Sequence, residues 1–176
     1  MEITNVKIHF HIDSSKRHCI NKSLIQITKS FPSFIILRHL HLVFTCFYSG
    51  FINITGIKDL TNIEEAKLIL ANILSIKISD FNNEIIDNIS AKWVGLGKKN
   101  IILTLLISYI KKDSLVKSYK YNREKFPALV IKLLAGTIIW FPTNTIYSVG
   151  AKTKNDLNLL AIFINKYERM LWVYSL

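Results

Sequence analysis

Phe31-Pro32-Ser33-Phe34-Ile35-Ile36-Leu37-Arg38 and Phe126-Pro127-Ala128-Leu129-Val130-Ile131-Lys132 follow one pattern: Phe-Pro, a small residue, an apolar run, and a cation. What comes after each also corresponds. In the first half, Phe47-Tyr48-Ser49-Gly50 leads to Asn53-Ile54-Thr55-Gly56-Ile57-Lys58; in the second, Phe141-Pro142-Thr143-Asn144 leads to Tyr147-Ser148-Val149-Gly150-Ala151-Lys152. The offset is 95 residues from Phe31 to Phe126, and 94 from Phe47 to Phe141, Gly56 to Gly150 and Lys58 to Lys152. Four landmarks at a near-constant offset define an internal repeat, and a repeat decides the fold.

Working outward, each half opens on a strand. Val6, Ile8, Phe10 and Ile12 alternate with Asn5, Lys7, His9 and His11, and Ile89, Ala91 and Trp93 alternate with Asn88, Ser90 and Lys92. That period of two marks a half-buried strand. Each half closes on a helix. Thr61-Asn62-Ile63-Glu64 has the form of a capping box before Ile63, Ala66, Ile69, Leu70 and Ile73. Thr153-Lys154-Asn155-Asp156 precedes Leu157, Leu160, Ala161, Ile164 and Tyr167 at the same helical spacing. Second helical candidates lie at Ser15 to Lys29 and Lys99 to Ile110, and the polar stretch Lys111 to Glu124 reads as the extra length of the second half. The expected unit is strand, helix, antiparallel strands, helix, in two repeats over 1–80 and 81–176. Two such units make an α+β fold with helices on one face of the sheet.

Composition narrows the function. The 176 residues carry 23 Lys or Arg against 12 Asp or Glu, a formal charge of +11, which favours a polyanionic partner. Residues 1–80 hold 9 basic and 6 acidic groups and residues 81–176 hold 14 and 6, so the excess sits in the second half. Two cysteines, Cys19 and Cys46, make no disulfide framework and no CxxC. Ala128 to Phe141 is too short to span a membrane and is broken by Lys132, and the first residues lack a signal-peptide core, so a soluble intracellular chain is expected. No paired carboxylates, Ser/His/Asp set or phosphate loop stands out, and Gly95-Leu96-Gly97 lacks the rest of a nucleotide fingerprint, which argues against an enzyme. His9/His11 and His39/His41 each place two imidazoles on one strand face, yet no Cys or acid flanks them at ligand spacing; no metal or cofactor is expected.

In order, spacing and duplication these elements resemble the core of the TATA-box-binding protein family, from about Ile3 to Arg169. That family's repeat has an early Asn, a Phe-Pro-Gly or Phe-Ala-Ala before a strand ending in Arg, a Phe-x-Ser-Gly-Lys turn, and Thr-Gly-Ala-Lys ahead of a long helix. The resemblance implies a saddle, a curved antiparallel β-sheet from two pseudo-symmetric repeats with helices on the convex face. It implies a general transcription initiation factor, non-enzymatic and nuclear (or in the equivalent transcribing compartment), that binds AT-rich duplex in the minor groove and bends it by Phe intercalation. Carried over by position, the wedges are Phe31 and Phe47, then Phe126 and Phe141. Asn5 and Asn88 match paired groove asparagines, Thr55 matches the threonine of Thr-Gly-Ala-Lys, and Ile139, Tyr147 and Val149 match floor positions. Lys58, Lys132 and Lys152 match phosphate-facing cations, with Arg38 one residue out of register. Glu124 matches an acidic position that meets transcription factor IIB, so a factor IIB-like protein and the RNA polymerase machinery are the implied partners.

The departures are specific. The Lys of Ser-Gly-Lys is Phe51 in the first repeat and Thr145 in the second, a floor valine is Asn53, and the valine two residues after each paired Asn is Lys7 or Ser90. The first closing helix carries Glu64, Glu65, Lys67 and Lys77 where the family is strongly basic. These changes leave a second reading, a protein-interaction module of the same fold that has lost sequence-specific DNA binding.

Overall fold

A computed structural model describes residues 1–22, 27–95 and 101–173 of the chain. In order the elements are β1 (Glu2–Ile12), α1 (His18–Lys22), β2 (Ile27–Ser30), β3 (Phe34–His39), β4 (Leu42–Phe47), β5 (Phe51–Ile57), α2 (Ile63–Leu74) and β6 (Phe81–Val94). There follow α3 (Leu103–Ile110), β7 (Ser118–Asn122), β8 (Phe126–Lys132), β9 (Thr137–Trp140), β10 (Thr145–Ala151) and α4 (Lys154–Val173). The strands form an antiparallel sheet of ten in the order β2-β3-β4-β5-β1-β6-β10-β9-β8-β7, and the fold class is α+β.

The chain divides into two compact units, Thr4–Asn88 and Ile89–Leu176 with Met1–Ile3, called here the N-terminal and C-terminal units. In the N-terminal unit the pleat sends Val6, Ile8, Phe10, Ile35, Leu37, Phe44, Ile52 and Ile54 into a core completed by Ile63, Ala66, Leu70 and Leu74 of α2. Phe10 and Phe44 have no exposed surface, and truncating either to Ala costs about 3–5 kcal/mol. Cys46 lies in the same core, and burial pushes its thiol up to about 12, so it stays protonated. In the C-terminal unit Ile89, Ala91, Leu129, Ile131, Ile138, Trp140 and Ile146 bury under Leu157, Leu160, Phe163, Ile164 and Tyr167 of α4. The opposite face of the sheet, free of helices among the described residues, is where alternation puts half-buried polar and aromatic residues such as His9, Asn53, Phe51 and Tyr147.

The structure corrects several local expectations. Ser15 to Lys29 is not one helix: a single 3-10 turn (Ser14–Lys16) and the short α1 precede strand β2, with 23–26 outside the described residues. Of Lys99 to Ile110, Leu103 onward is helical, while 99–100 lie outside them too. The polar stretch Lys111 to Glu124 is not merely extra length, because it contains the edge strand β7, whose Ser-Tyr-Lys-Tyr-Asn sequence reads polar since an edge strand faces water. Thr61–Glu64 forms no capping box. Asp59 instead accepts from Thr61 N (2.9 Å), and a 3-10 turn leads into α2. At the second site the reciprocal pair does form: Asp156 N donates to Thr153 Oγ1 (3.0 Å) and Thr153 N donates to Asp156 Oδ2 (2.9 Å).

Candidate nucleic-acid interface

The helix-free faces are built from rows of cross-strand neighbours. In the N-terminal unit one row runs Ile36–Thr45–Asn53–His9 across β3, β4, β5 and β1. In the C-terminal unit the row Val130–Ile139–Tyr147–Lys92 crosses β8, β9, β10 and β6. The first three members of the two rows are each 94 residues apart, so strand register reproduces the sequence repeat. Residues 94 apart therefore occupy equivalent places: Thr45 and Ile139, Asn53 and Tyr147, Thr55 and Val149. All six are half-buried.

Each unit turns its chain with a bulge at the glycine of the repeat. Three steps along β5 (Ile54 to Ile57) face two along β1 (Val6 to Ile8), and β10 does the same against β6 between Ser148 and Ala151. Gly56 at φ +93° and Gly150 at φ +88° supply the left-handed backbone the bulge needs. The bulge orients Asn5. Gly56 N donates to Asn5 Oδ1 at 2.6 Å, and because an N–H can only donate, the oxygen must face it. The Nδ2 group of Asn5 is thereby turned away from Gly56 N and left to donate elsewhere. Asn88 is half-buried and out of phase with the core residue Ile89.

The four phenylalanines singled out in the sequence sit beside the β4–β5 and β9–β10 turns. Gly50 N donates to Phe47 O (2.9 Å) and Asn144 N donates to Phe141 O (3.0 Å), and Gly50 (φ +92°) and Asn144 (φ +58°) close both turns in the left-handed region. Asn144 is 6% exposed; its Oδ1 accepts from Trp140 Nε1 (3.1 Å) and its Nδ2 donates to Glu168 Oε1 (3.3 Å), which ties the turn to α4. Phe126 and Phe141 meet edge-on with ring centres 5.8 Å apart, and Phe141 meets Tyr147 at 6.1 Å. Phe31 and Phe47 are instead linked through Phe34, which stacks on Phe31 (4.5 Å, 19°) and lies 5.2 Å from Phe47. Phe51 continues the ladder at 5.7 Å from Phe47 and touches His9 and His11 at 5.0 and 5.2 Å. Phe31 and Phe126 remain 40% and 43% exposed, a large apolar area held at the surface.

Sequence reasoning missed Phe34 and Phe51 as members of this ladder. Their signal was the phase of the pleat, since each is out of step with a buried neighbour, Ile35 or Ile52. It also missed Asp87, whose carboxylate meets His9 Nδ1 at 2.7 Å and Lys7 Nζ at 3.1 Å on the helix-free face. Partial burial pushes the Asp87 carboxyl up, but the bonds from Lys7 and His9 outweigh it and hold the group below the usual carboxylate range. His9 is thus committed to Asp87, and among the described residues no three His, Cys, Asp or Glu converge as a metal site. Asn53 Oδ1 is covered and has no hydrogen-bond partner among the described residues, a deficit of about 1–3 kcal/mol.

The cations lie at or next to the C-terminal ends of strands β3, β5, β8 and β10. Lys132 and Lys152 are exposed, as is Arg38, and Lys58 Nζ donates to Thr4 O at 2.7 Å. Glu124 is exposed in the β7–β8 turn, where its N–H donates to Asn122 Oδ1. Among the described residues no helix is long and apolar enough to cross a membrane.

Each unit thus combines an antiparallel sheet backed by a helix, a polar or apolar open face, and surface phenylalanines beside a turn. In its fold the structure is similar to the TBP of Methanococcus jannaschii, with a TM-score of 0.67 over 96% of this chain and 97% of that one, at 20% sequence identity. No protein-family model and no curated protein matches the sequence.

Proposed function

We propose that the chain is a TATA-box-binding-protein-like transcription factor whose two repeats, 1–80 and 81–176, bind AT-rich duplex DNA in the minor groove and bend it. The observation that carries this reading is the placement of surface phenylalanines at the same turn of both units, next to helix-free sheet faces in matching register. Rings wedged into a base step unstack it at a cost of a few kcal/mol, which the extra protein contact of a bent duplex offsets. Phe141 and Phe126 form one wedge, and Phe31 and Phe47, braced by Phe34, form the other. Asn5 and Asn88 donate to groove acceptors, Thr55, Ile139, Tyr147 and Val149 line the floor, and Lys58, Lys132 and Lys152 meet phosphates. Glu124 is the contact for a factor IIB-like partner.

Fluorescence transfer across an end-labelled AT-rich duplex tests the mechanism: efficiency rises on binding, and binding without that rise defeats the wedge. The second reading, an interaction module, draws on the Asp87 carboxylate held on the open face of the N-terminal unit. No duplex binding in low salt, with a factor IIB homologue still bound, decides for it.

A further inference from the structure

The central rows of the two helix-free faces differ in hydrogen-bonding character, and the difference maps onto the chemistry of the groove. A·T pairs show the minor groove acceptors only, whereas a G·C pair adds one donor, the guanine N2 amine. A face accommodates that amine only if it offers an acceptor. In the N-terminal unit the central row carries Thr45 and Asn53 beside His9, and His9 leads directly to the Asp87 carboxylate. Asn53 Oδ1 has no partner among the described residues, so nothing pins that oxygen, and a half-turn about the Cβ–Cγ bond exchanges it with Nδ2. The Asp87 carboxylate is 27% exposed, and its two oxygens can accept more bonds than the two they hold. The corresponding positions in the C-terminal unit are Ile139 for Thr45, Tyr147 for Asn53 and Val149 for Thr55, and Lys92 stands where His9 does. Apart from the Tyr147 hydroxyl that row offers no side-chain acceptor.

We propose that the N-terminal unit's central row accepts a G·C pair, with Asn53 as the specificity-determining residue, whereas the C-terminal unit's central row, with neither amide nor carboxylate, disfavours one. The inference rests on the duplex-binding reading above. It has a distinctive consequence on a symmetric, alternating A·T core, because the chain can bind in either orientation. A single G·C pair in either half is then covered by the tolerant unit, but one in each half cannot be.

Competition gel shifts of the full chain against four duplexes test this: all A·T, G·C in the left half, G·C in the right, and G·C in both. Either single substitution is expected to weaken binding less than about 3-fold, and the double one at least about 10-fold, the range of one unmet groove contact. Equal tolerance of all four duplexes, or a 10-fold loss with either single G·C, overturns the proposal. Absence of binding to the all-A·T duplex instead defeats the duplex reading itself. Asn53→Val is expected to raise the ratio of all-A·T to single-G·C affinity about 10-fold, and Asn53→Thr, which keeps an acceptor, to leave that ratio near the parent's. An unchanged ratio in folded Asn53→Val, with folding checked by circular dichroism, removes Asn53 from the role; if that variant does not fold, a 10-fold higher ratio in Asn53→Thr does so.

Discussion

Asp113 fastens the segment after α3 to α4. Its Oδ2 accepts from Lys166 Nζ and from Tyr167 OH, both at 2.6 Å, and its Oδ1 accepts from Leu115 N at 2.9 Å. Burial pushes this carboxyl up, yet the bonds from Lys166, Tyr167 and Leu115 outweigh it and hold the group down to about 2. Burial and the same hydrogen bond push the Tyr167 phenol up. A folded-state pKa below the unfolded one means that the stabilisation is complete above about pH 4 and is lost as the pH falls toward 2. A depression of that size corresponds to about 2 kcal/mol. Thermal melts from pH 7 to pH 2 should therefore show Asp113→Asn less stable than the parent at pH 7, with the gap closing near pH 2; a gap that persists at pH 2 rejects this account. Asp87 acts in the opposite direction on binding. Its negative charge sits on the proposed DNA face and occupies Lys7 and His9, so Asp87→Asn should strengthen AT-rich duplex binding about 5-fold at low salt, the effect of about 1 kcal/mol from one partly screened charge. Titration by fluorescence anisotropy measures it, and weaker binding would place Asp87 among the contacts DNA needs.

At the scale of elements, what was legible in the sequence is what the pleat and the repeat encode together. Ile36/Val130, Thr45/Ile139 and Asn53/Tyr147 fall at the same offset because β3–β5 and β8–β10 are the same three strands with the same turns. Edge strand β7 was hidden, since a strand that buries little keeps no apolar alternation. The Asp87–His9 bond was hidden because its partners lie 78 residues apart and no local pattern links them. The missing cap at α2 has a similar origin: Asp59, two residues ahead of Thr61, competes for the same N–H. Gly56 and Gly150 look interchangeable in sequence, yet their surroundings separate them. A Cβ at Gly56 would strike the His41 carbonyl oxygen, whereas at Gly150 the nearest atom is Gly136 Cα at 3.8 Å. Gly150→Ala should cost about 1–2 kcal/mol for the left-handed backbone alone. Gly56→Ala should cost at least about 3 kcal/mol, because the clash is with backbone and adds to the same strain. Urea melts of the two variants decide this, and equal losses would mean that the β3–β4 turn yields.

For the molecule as a whole, the charge of +11 implies attraction to a polyanion, while the proposed wedges imply a contact that charge does not govern. Salt separates the two. A cation that neutralises a phosphate releases a counterion, so log affinity falls with log salt in proportion to the number of phosphates met. Lys152 is exposed beside α4, and Lys152→Ala should reduce the magnitude of that slope by about 1 while leaving the fluorescence-transfer bend unchanged. Phe141 carries no charge, so Phe141→Ala should leave the slope as it is and diminish the bend, even though both variants bind more weakly at any one salt concentration. A single-salt assay would confuse the two effects, so titrations at four or more salt concentrations with the bend read in parallel are required. The uneven charge adds a second expectation, since residues 81–176 carry 14 of the 23 cations. If phosphate contacts follow that distribution, removing Lys132 and Lys152 together should flatten the slope by about 2, whereas Lys58→Ala, whose ammonium already bonds Thr4 O, should change it by less than 1. A larger change at Lys58 than at Lys152 would mean that the N-terminal unit grips the phosphates despite its polar floor and paired charges, and would reverse the division of work between the repeats.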